Sequence, residues 1–164
     1  MKYAVLTVLV LLFSAVQTTV LKSAEIMGVV PNLLLVAVIC YSLILGNLNS
    51  IIFGAVIGLL LDLLSGHMVG VNLILCSLTA YMCAGFNGNL FSNNSFVAAV
   101  FVLWITFLYE FVIYILYFLF WSEGHMWFAV THRILPAALY CAVSAFLIYP
   151  VMRGVSRLEK SEDD

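Results

Sequence analysis

Between Glu25 and Glu110 the chain carries a single formal charge, that of Asp62, inside an otherwise apolar stretch. One crossing of a bilayer needs about 20 mostly apolar residues, because the hydrocarbon core is about 30 Å thick. Residues 26–109 are therefore long enough for several crossings. Since a water-soluble fold would have to bury almost all of this stretch, we predict an integral membrane protein.

The remaining composition leaves little material for a soluble domain. The chain has 164 residues, of which 65% are apolar and 9% charged, and its mean hydropathy is +1.19. The net charge is -2 and acidic residues gather at the C-terminal end, so we expect no nucleic-acid partner. Neither the cysteines nor the histidines have the spacing of a disulfide framework or a metal site, and no P-loop or catalytic triad pattern occurs. We therefore expect no enzyme activity, no metal and no cofactor.

Charges and turn-forming residues divide the chain into six predicted transmembrane helices. Their approximate ranges are 3–21, 31–45, 50–64, 69–86, 96–121 and 133–152, which together make one domain over residues 1–152. Residues 153–164 are predicted to form a short polar tail. The first apolar run continues to Leu21 without a signal-peptide cleavage site, which favours a retained helix. The sequence thus predicts an all-α polytopic membrane protein in contact with lipid.

The positive residues predict how the helices are oriented in the membrane. Six crossings place both termini on the same side, and an excess of lysine and arginine marks the cytoplasmic side. More of these residues flank the terminal side than the opposite side: Lys2, Arg153, Arg157 and Lys160 against Lys22 and Arg133. We therefore expect a multi-pass membrane protein with cytoplasmic N- and C-termini.

Small and acidic residues recur at four-residue spacing along the third predicted span. Gly54, Gly58 and Asp62 share one helix face, and the two glycines form a GxxxG pattern that lets another helix approach closely. A carboxylate at the centre of a membrane helix costs roughly 2.5–3.5 kcal/mol on insertion scales, so Asp62 must be sheltered. We expect either a contact with Arg133 or a cap on the turn Ser65-Gly66-His67, and we favour structural packing over a direct function.

Three further positions are predicted to be buried polar residues: Glu110, Asn72 and Arg133. Glu110 lies near the middle of the fifth span with Tyr114 and Tyr117 on its face, so it is expected to be protonated, hydrogen-bonded to another helix or lining a polar cavity. We favour the helix contact over a proton relay, because no second buried carboxylate or histidine lies near it in sequence. The fourth span carries a face of polar and small residues suited to packing on the third span: Asn72, Cys76, Ala80 and Cys83.

A longer pattern joins several of these residues. Pro31-Asn32-Leu33-Leu34 is followed by Gly46 and then by Gly54-x3-Gly58-x3-Asp62-x2-Ser65-Gly66-x3-Gly70-x4-Leu75. Over about residues 26–86 this pattern resembles the family of the rod shape-determining protein MreD. One departure is Asn32, which stands where family members often have aspartate.

The resemblance implies a non-catalytic scaffold of the cell-elongation machinery in the bacterial plasma membrane, which maintains rod shape. It implies binding to the bitopic protein MreC and, through MreC, links to the actin-like MreB and to the peptidoglycan synthase pair of RodA with a class B penicillin-binding protein. It also implies a six-helix fold similar to the substrate-binding subunits of energy-coupling-factor transporters.

Residues of the shared pattern are expected to serve partner binding or helix packing: Pro31, Asn32, Gly54, Gly58, Asp62, Ser65, Gly66 and Gly70. The alternative function is that of a small-molecule, vitamin-type binding subunit of a membrane transporter. This alternative is disfavoured because a ligand site needs several polar groups, and few are expected to converge on one end of the bundle.

Overall fold

The computed structural model describes residues 2–21, 30–46, 48–65, 70–86, 95–121 and 130–160. These ranges are almost entirely helical and contain no strand. Their helices are α1 (Lys2–Val16), α2 (Leu33–Leu45), α3 (Leu48–Ser65), α4 (Val71–Gly85), α5 (Ser95–Trp121) and α6 (Leu135–Lys160). Two π-helical turns, Gln17–Leu21 and Val130–Ile134, continue α1 and precede α6.

The ends of α2 follow local sequence signals. Asn32 is the N-cap, and its side chain accepts a hydrogen bond from the Leu35 N–H at 3.1 Å. Gly46 ends the helix in the left-handed conformation, with φ of 61°, which glycine adopts without steric penalty. Asparagine in place of aspartate at residue 32 therefore preserves the N-cap, because the two side chains accept this hydrogen bond about equally well.

α6 is longer than the predicted sixth span. It continues to Lys160, past the expected end at residue 152, because the arginine, leucine, glutamate and lysine residues that follow are good helix formers. Pro136 lies in the first turn of the helix, where backbone N–H groups have no intrahelical acceptor, so the N–H that proline lacks is not needed. Pro150 lies inside the helix without ending it.

α2 is the central helix of the bundle. Every residue from Leu33 to Leu43 is buried, most of them completely. All five other helices contact α2, and in the order α1, α6, α5, α4, α3 each also contacts the next. The largest of these contacts join α3 to α4 and α5 to α6. α2 is apolar on every side, as expected of a helix that is enclosed by other helices.

The surface of the described chain suits lipid better than water. Each of the five outer helices exposes large apolar side chains, and Leu63, Ile74 and Leu147 are 72%, 65% and 75% exposed. Soluble monomers rarely expose extended apolar surface of this kind. By length and composition, two helical stretches are able to cross a membrane: Ser95–Leu116 and Val130–Val155.

The other apolar helices are shorter. At 1.5 Å per residue, the 13 residues of α2 extend over only about 20 Å. Protein rather than lipid surrounds α2, so the length of this helix does not have to match the thickness of the hydrocarbon layer.

Candidate functional site

Two glycines of α3 bring its backbone into close contact with α4. A Cβ added at Gly54 would lie 2.8 Å from the Ala80 Cβ, and one added at Gly58 would lie 2.5 Å from the Asn72 carbonyl oxygen. Real Cβ atoms essentially never approach other atoms below 3.0 Å, so a larger residue at either position would have to displace α4. The glycine face of α3 therefore packs within the chain, against the face of α4 that contains Asn72, Cys76 and Ala80.

Asp62, one turn after Gly58, binds the start of α4. Its Oδ2 accepts hydrogen bonds from the N–H groups of Gly70 at 2.8 Å and Leu73 at 3.1 Å. Its Oδ1 accepts a bond from the Asn72 N–H at 3.1 Å. The first N–H groups of a helix lack intrahelical acceptors and form the positive end of the helix dipole. The carboxylate satisfies these groups and is itself sheltered, with 1% of its surface exposed.

This geometry is a cap, but on the start of α4 and not on the turn Ser65-Gly66-His67 that the sequence suggested for Asp62. The bonded N–H groups belong to Gly70 and the first turn of α4. Ser65 is the last residue of α3, whereas Gly66 and His67 of the predicted turn lie outside the described residues. Gly70 has φ of 101°, a left-handed conformation that glycine adopts readily and that aims its N–H at the carboxylate.

Arg133, the predicted partner of Asp62, lies in the π-helical turn before α6. Its side chain is exposed, so the prediction that Arg133 is buried was wrong. It lies near Glu110 of α5. Glu110 also lies near Cys141 of α6. Glu110 is partly buried, and the hydrogen bond expected from it to another helix stays a prediction. One turn earlier, Thr106 is fully buried, and its hydroxyl has no hydrogen-bond partner among the described residues.

Tyr109 joins α5 to α4 and was missed in the sequence analysis. Its hydroxyl donates a hydrogen bond to the Asn72 Oδ1 at 2.7 Å, and the Cys76 Sγ lies 3.7 Å from the same hydroxyl oxygen. The ring is 4% exposed. A tyrosine buried in an apolar helix needs a partner for its hydroxyl. This need for a partner could have marked Tyr109 as a contact residue from the sequence alone, but it does not identify the partner.

These polar contacts gather at one end of the bundle, which we call the polar end. It comprises the end of α3, the starts of α2, α4 and α6, and the adjoining part of α5. Here the Gln17 Oε1 also accepts a 3.4 Å bond from the Leu34 N–H and so connects the turn after α1 to the start of α2. Asp62, Asn72 and Tyr109 lie at this end with their side chains bonded to groups of this chain. The expectation that few polar groups converge on a ligand space stays a prediction.

Fold and contacts together define a class: an all-helical membrane protein in which close glycine contacts, a capped carboxylate and an interhelical tyrosine bond hold neighbouring helices in place. The family model for the rod shape-determining protein MreD matches residues 1–158. The chain belongs to the MreD family, whose members are bacterial membrane proteins with a role in rod shape determination.

The family match is the finding that identifies relatives of this chain. No significant match was found among curated proteins or among solved structures. The family match confirms the resemblance that was drawn from residues 26–86 and extends it over nearly the whole chain.

Proposed function

We propose that this protein is a non-catalytic scaffold of the bacterial cell-elongation machinery. In this role it binds MreC and, through MreC, is linked to MreB and to RodA with its class B penicillin-binding protein. Membership of the MreD family supports the role in shape determination. The observation that carries the scaffold mechanism is the cap on α4, because the only formal charge within residues 26–109 is used to hold two helices together.

The other polar residues of the α3–α4–α5 contact support the same proposal. Catalytic acids, bases and nucleophiles must reach the reacting atoms of a substrate. Here the side chains of Asp62, Asn72 and Tyr109 bind groups of this chain. The MreD family is a component of shape determination and is not known as a family of enzymes.

Partner binding is expected on the outer faces of the helices. Because the Gly54 and Gly58 face is covered by α4, we assign these glycines and Asp62 to packing within the chain. We further propose that all six helices cross the membrane, with both termini in the cytoplasm. The excess of positive residues on the terminal side supports this orientation.

Co-purification with full-length MreC tests the scaffold directly. A tagged version of this protein, expressed with MreC in bacteria and extracted in mild detergent, should retain MreC. An unrelated polytopic protein with the same tag should not, and expression of this protein should restore rod shape to cells depleted of their own MreD. Recovery of MreC no greater than with the unrelated protein would refute the proposed partner.

A second candidate function, a vitamin-type binding subunit of a transporter, is favoured by the polar end itself. Small-molecule sites combine apolar walls with a few converging polar groups, and the side chains of Asn72 and Tyr109 meet there. The implied fold similarity to the substrate-binding subunits of energy-coupling-factor transporters belongs to this candidate as well. Native mass spectrometry of the detergent-purified protein decides between the two, since a stoichiometric small molecule would support the transporter subunit.

A further inference from the structure

The last turns of α6 carry basic residues on the same side of the helix as its exposed apolar residues. Leu139 and Phe146 are 50% and 47% exposed and so mark the outer side of α6. Three basic residues follow Phe146 at separations of seven, eleven and fourteen residues: Arg153, Arg157 and Lys160. At 100° per residue, these positions deviate from that of Phe146 by about 40° at most. They continue the outer side of the helix, and we call them the basic face.

The inner side of the same segment is apolar and buried. Met152 is fully buried, Val155 is 6% exposed, and Arg153 at the edge between the two sides is half-buried. Glu159 is the acidic residue of α6, and it follows Met152 by seven residues and Val155 by four. These separations place Glu159 on the inner side of the helix. The end of α6 therefore keeps its positive and negative positions on different sides.

The length of the helix places the basic face at the level of lipid headgroups. Residues 130–160 are helical throughout, and Arg133 and Arg153 are twenty residues apart in this stretch, which is about 30 Å at 1.5 Å per residue. The hydrocarbon core of a bilayer is also about 30 Å thick. Arg157 and Lys160 lie about 6 and 10 Å beyond Arg153 along the axis. The basic face thus begins where the hydrocarbon ends and extends through the headgroup layer.

The start of α1 lies at the same end of the bundle as the basic face. The far end of α1 is at the polar end, where the Gln17 Oε1 accepts the bond from the Leu34 N–H. The start of α6 is also at the polar end, so the start of α1 and the end of α6 both lie at the opposite end, and the two helices are in contact. Lys2, the first residue of α1, adds a positive charge there. Four of the six lysine and arginine residues of the chain are therefore at this end.

The phosphate groups of anionic lipids match the basic face in charge and position. Anionic lipids give the cytoplasmic leaflet a negative surface potential, which attracts basic segments next to a membrane helix. A guanidinium binds a phosphate through two parallel N–H bonds, and a lysine binds it as a point charge. Arg153 also interacts with a group of this chain, but a guanidinium has five donors, so one such contact leaves its capacity for a phosphate.

We propose that the basic face of α6 binds the headgroup of an anionic phospholipid in the inner leaflet. This proposal rests on the proposed topology, with cytoplasmic termini, and not on MreC. A soluble anion would approach from water, whereas the basic face continues the outer side of α6, where lipid is the neighbour. Three acidic residues follow α6 and lie outside the described residues, so position rather than net charge carries the proposal: Glu162, Asp163 and Asp164.

Titration of the full-length chain in mild detergent with dioleoylphosphatidylglycerol, followed by native mass spectrometry, tests this lipid site. Dioleoylphosphatidylcholine, which has the same acyl chains and no net charge, is the comparison lipid. Each basic residue near an anionic surface contributes about fivefold to binding, so we expect phosphatidylglycerol to bind about tenfold or more tightly than phosphatidylcholine. Equal affinities for the two lipids would overturn the proposal.

The double variant Arg157→Gln with Lys160→Gln locates the site. It leaves Arg153 and its contact within the chain in place, and glutamine forms helices about as well as lysine and arginine, so far-ultraviolet circular dichroism should be unchanged. We expect its affinity for phosphatidylglycerol to fall by about tenfold or more. The matched control, Lys22→Gln with Arg133→Gln, removes the other two positive residues of the chain and should keep the affinity. Equal losses in the two variants, or no loss in the α6 variant, refute the basic face.

Competition with millimolar inorganic phosphate, against chloride at equal ionic strength, separates a lipid site from a site for soluble anions. Phosphatidylglycerol should stay bound in both salts, and its release by phosphate alone would show that the site takes soluble phosphate instead. Co-purification of MreC with the α6 variant is read separately. A chain that binds MreC without any lipid preference loses this proposal and keeps the scaffold, whereas a lipid preference without MreC binding has the opposite meaning.

Discussion

Replacing Asp62 with alanine removes the acceptor of three N–H groups, those of Gly70, Asn72 and Leu73. A buried donor left without a partner costs about 1–3 kcal/mol, so three such losses set a range of about 3–9 kcal/mol. The three residues are only partly buried, and replacing a single N-cap side chain costs about 0.5–2 kcal/mol. We therefore expect Asp62→Ala to lower the free energy of unfolding by about 3 kcal/mol, near the bottom of that range.

The assay is equilibrium unfolding in mixed micelles with a rising fraction of sodium dodecyl sulfate, followed by far-ultraviolet circular dichroism. Asp62→Asn keeps one acceptor oxygen but removes the charge. Its free energy of unfolding should therefore lie about midway between the values of the unmodified protein and of Asp62→Ala. Leu63→Ala is the matched control, since the neighbouring Leu63 side chain is 72% exposed and should contribute little. If Asp62→Ala unfolds at the same detergent fraction as Leu63→Ala, the cap does not stabilise the fold and the reasoning is wrong.

The same titration tests two other contacts. Gly58→Ala should lower the free energy of unfolding by about 1–3 kcal/mol through overpacking. Gly154→Ala is the control and should be neutral or slightly stabilising, because a Cβ added there meets no atom within 4 Å. Equal unfolding midpoints for the two variants would disprove the close approach of α3 to α4. Tyr109→Phe should cost about 0.6 kcal/mol, the usual value for a hydrogen bond between membrane helices. A double-mutant cycle with Asn72→Ala checks this value, and strictly additive losses would show that the 2.7 Å bond contributes nothing.

The positions of the helices were predictable because their signals are local. The glycine and asparagine residues between α2 and α3 interrupt two apolar runs, and Asn32 supplies a cap at the start of α2. The ends of α6 were harder to place, since a polar segment after a membrane span has the same composition whether it is a helix or a tail. A membrane boundary and a helix end are separate features, and composition reports only the first.

The partners of the polar residues could not be predicted in the same way. A GxxxG face indicates a small surface that another helix can approach, but it does not identify that helix, and here it is α4. The donors that bind Asp62 are backbone N–H groups. Every residue except proline has one, so the sequence does not indicate which of them bind Asp62. Tyr109 and Asn72 lie on different helices, and their contact depends on how α5 packs beside α4.

α2 is synthesised before α3 to α6, the four helices that form most of the protein around it. In the proposed topology, in which all six helices cross the membrane, acyl chains must first solvate the surface of α2 that α3 to α6 later cover. Uniform apolarity lets one helix suit both surroundings in turn. Because α6 touches both α1 and α2, the enclosure is completed only after α6 has been synthesised. A chain shortened before α6 should therefore still insert, but with its innermost helix left in contact with lipid.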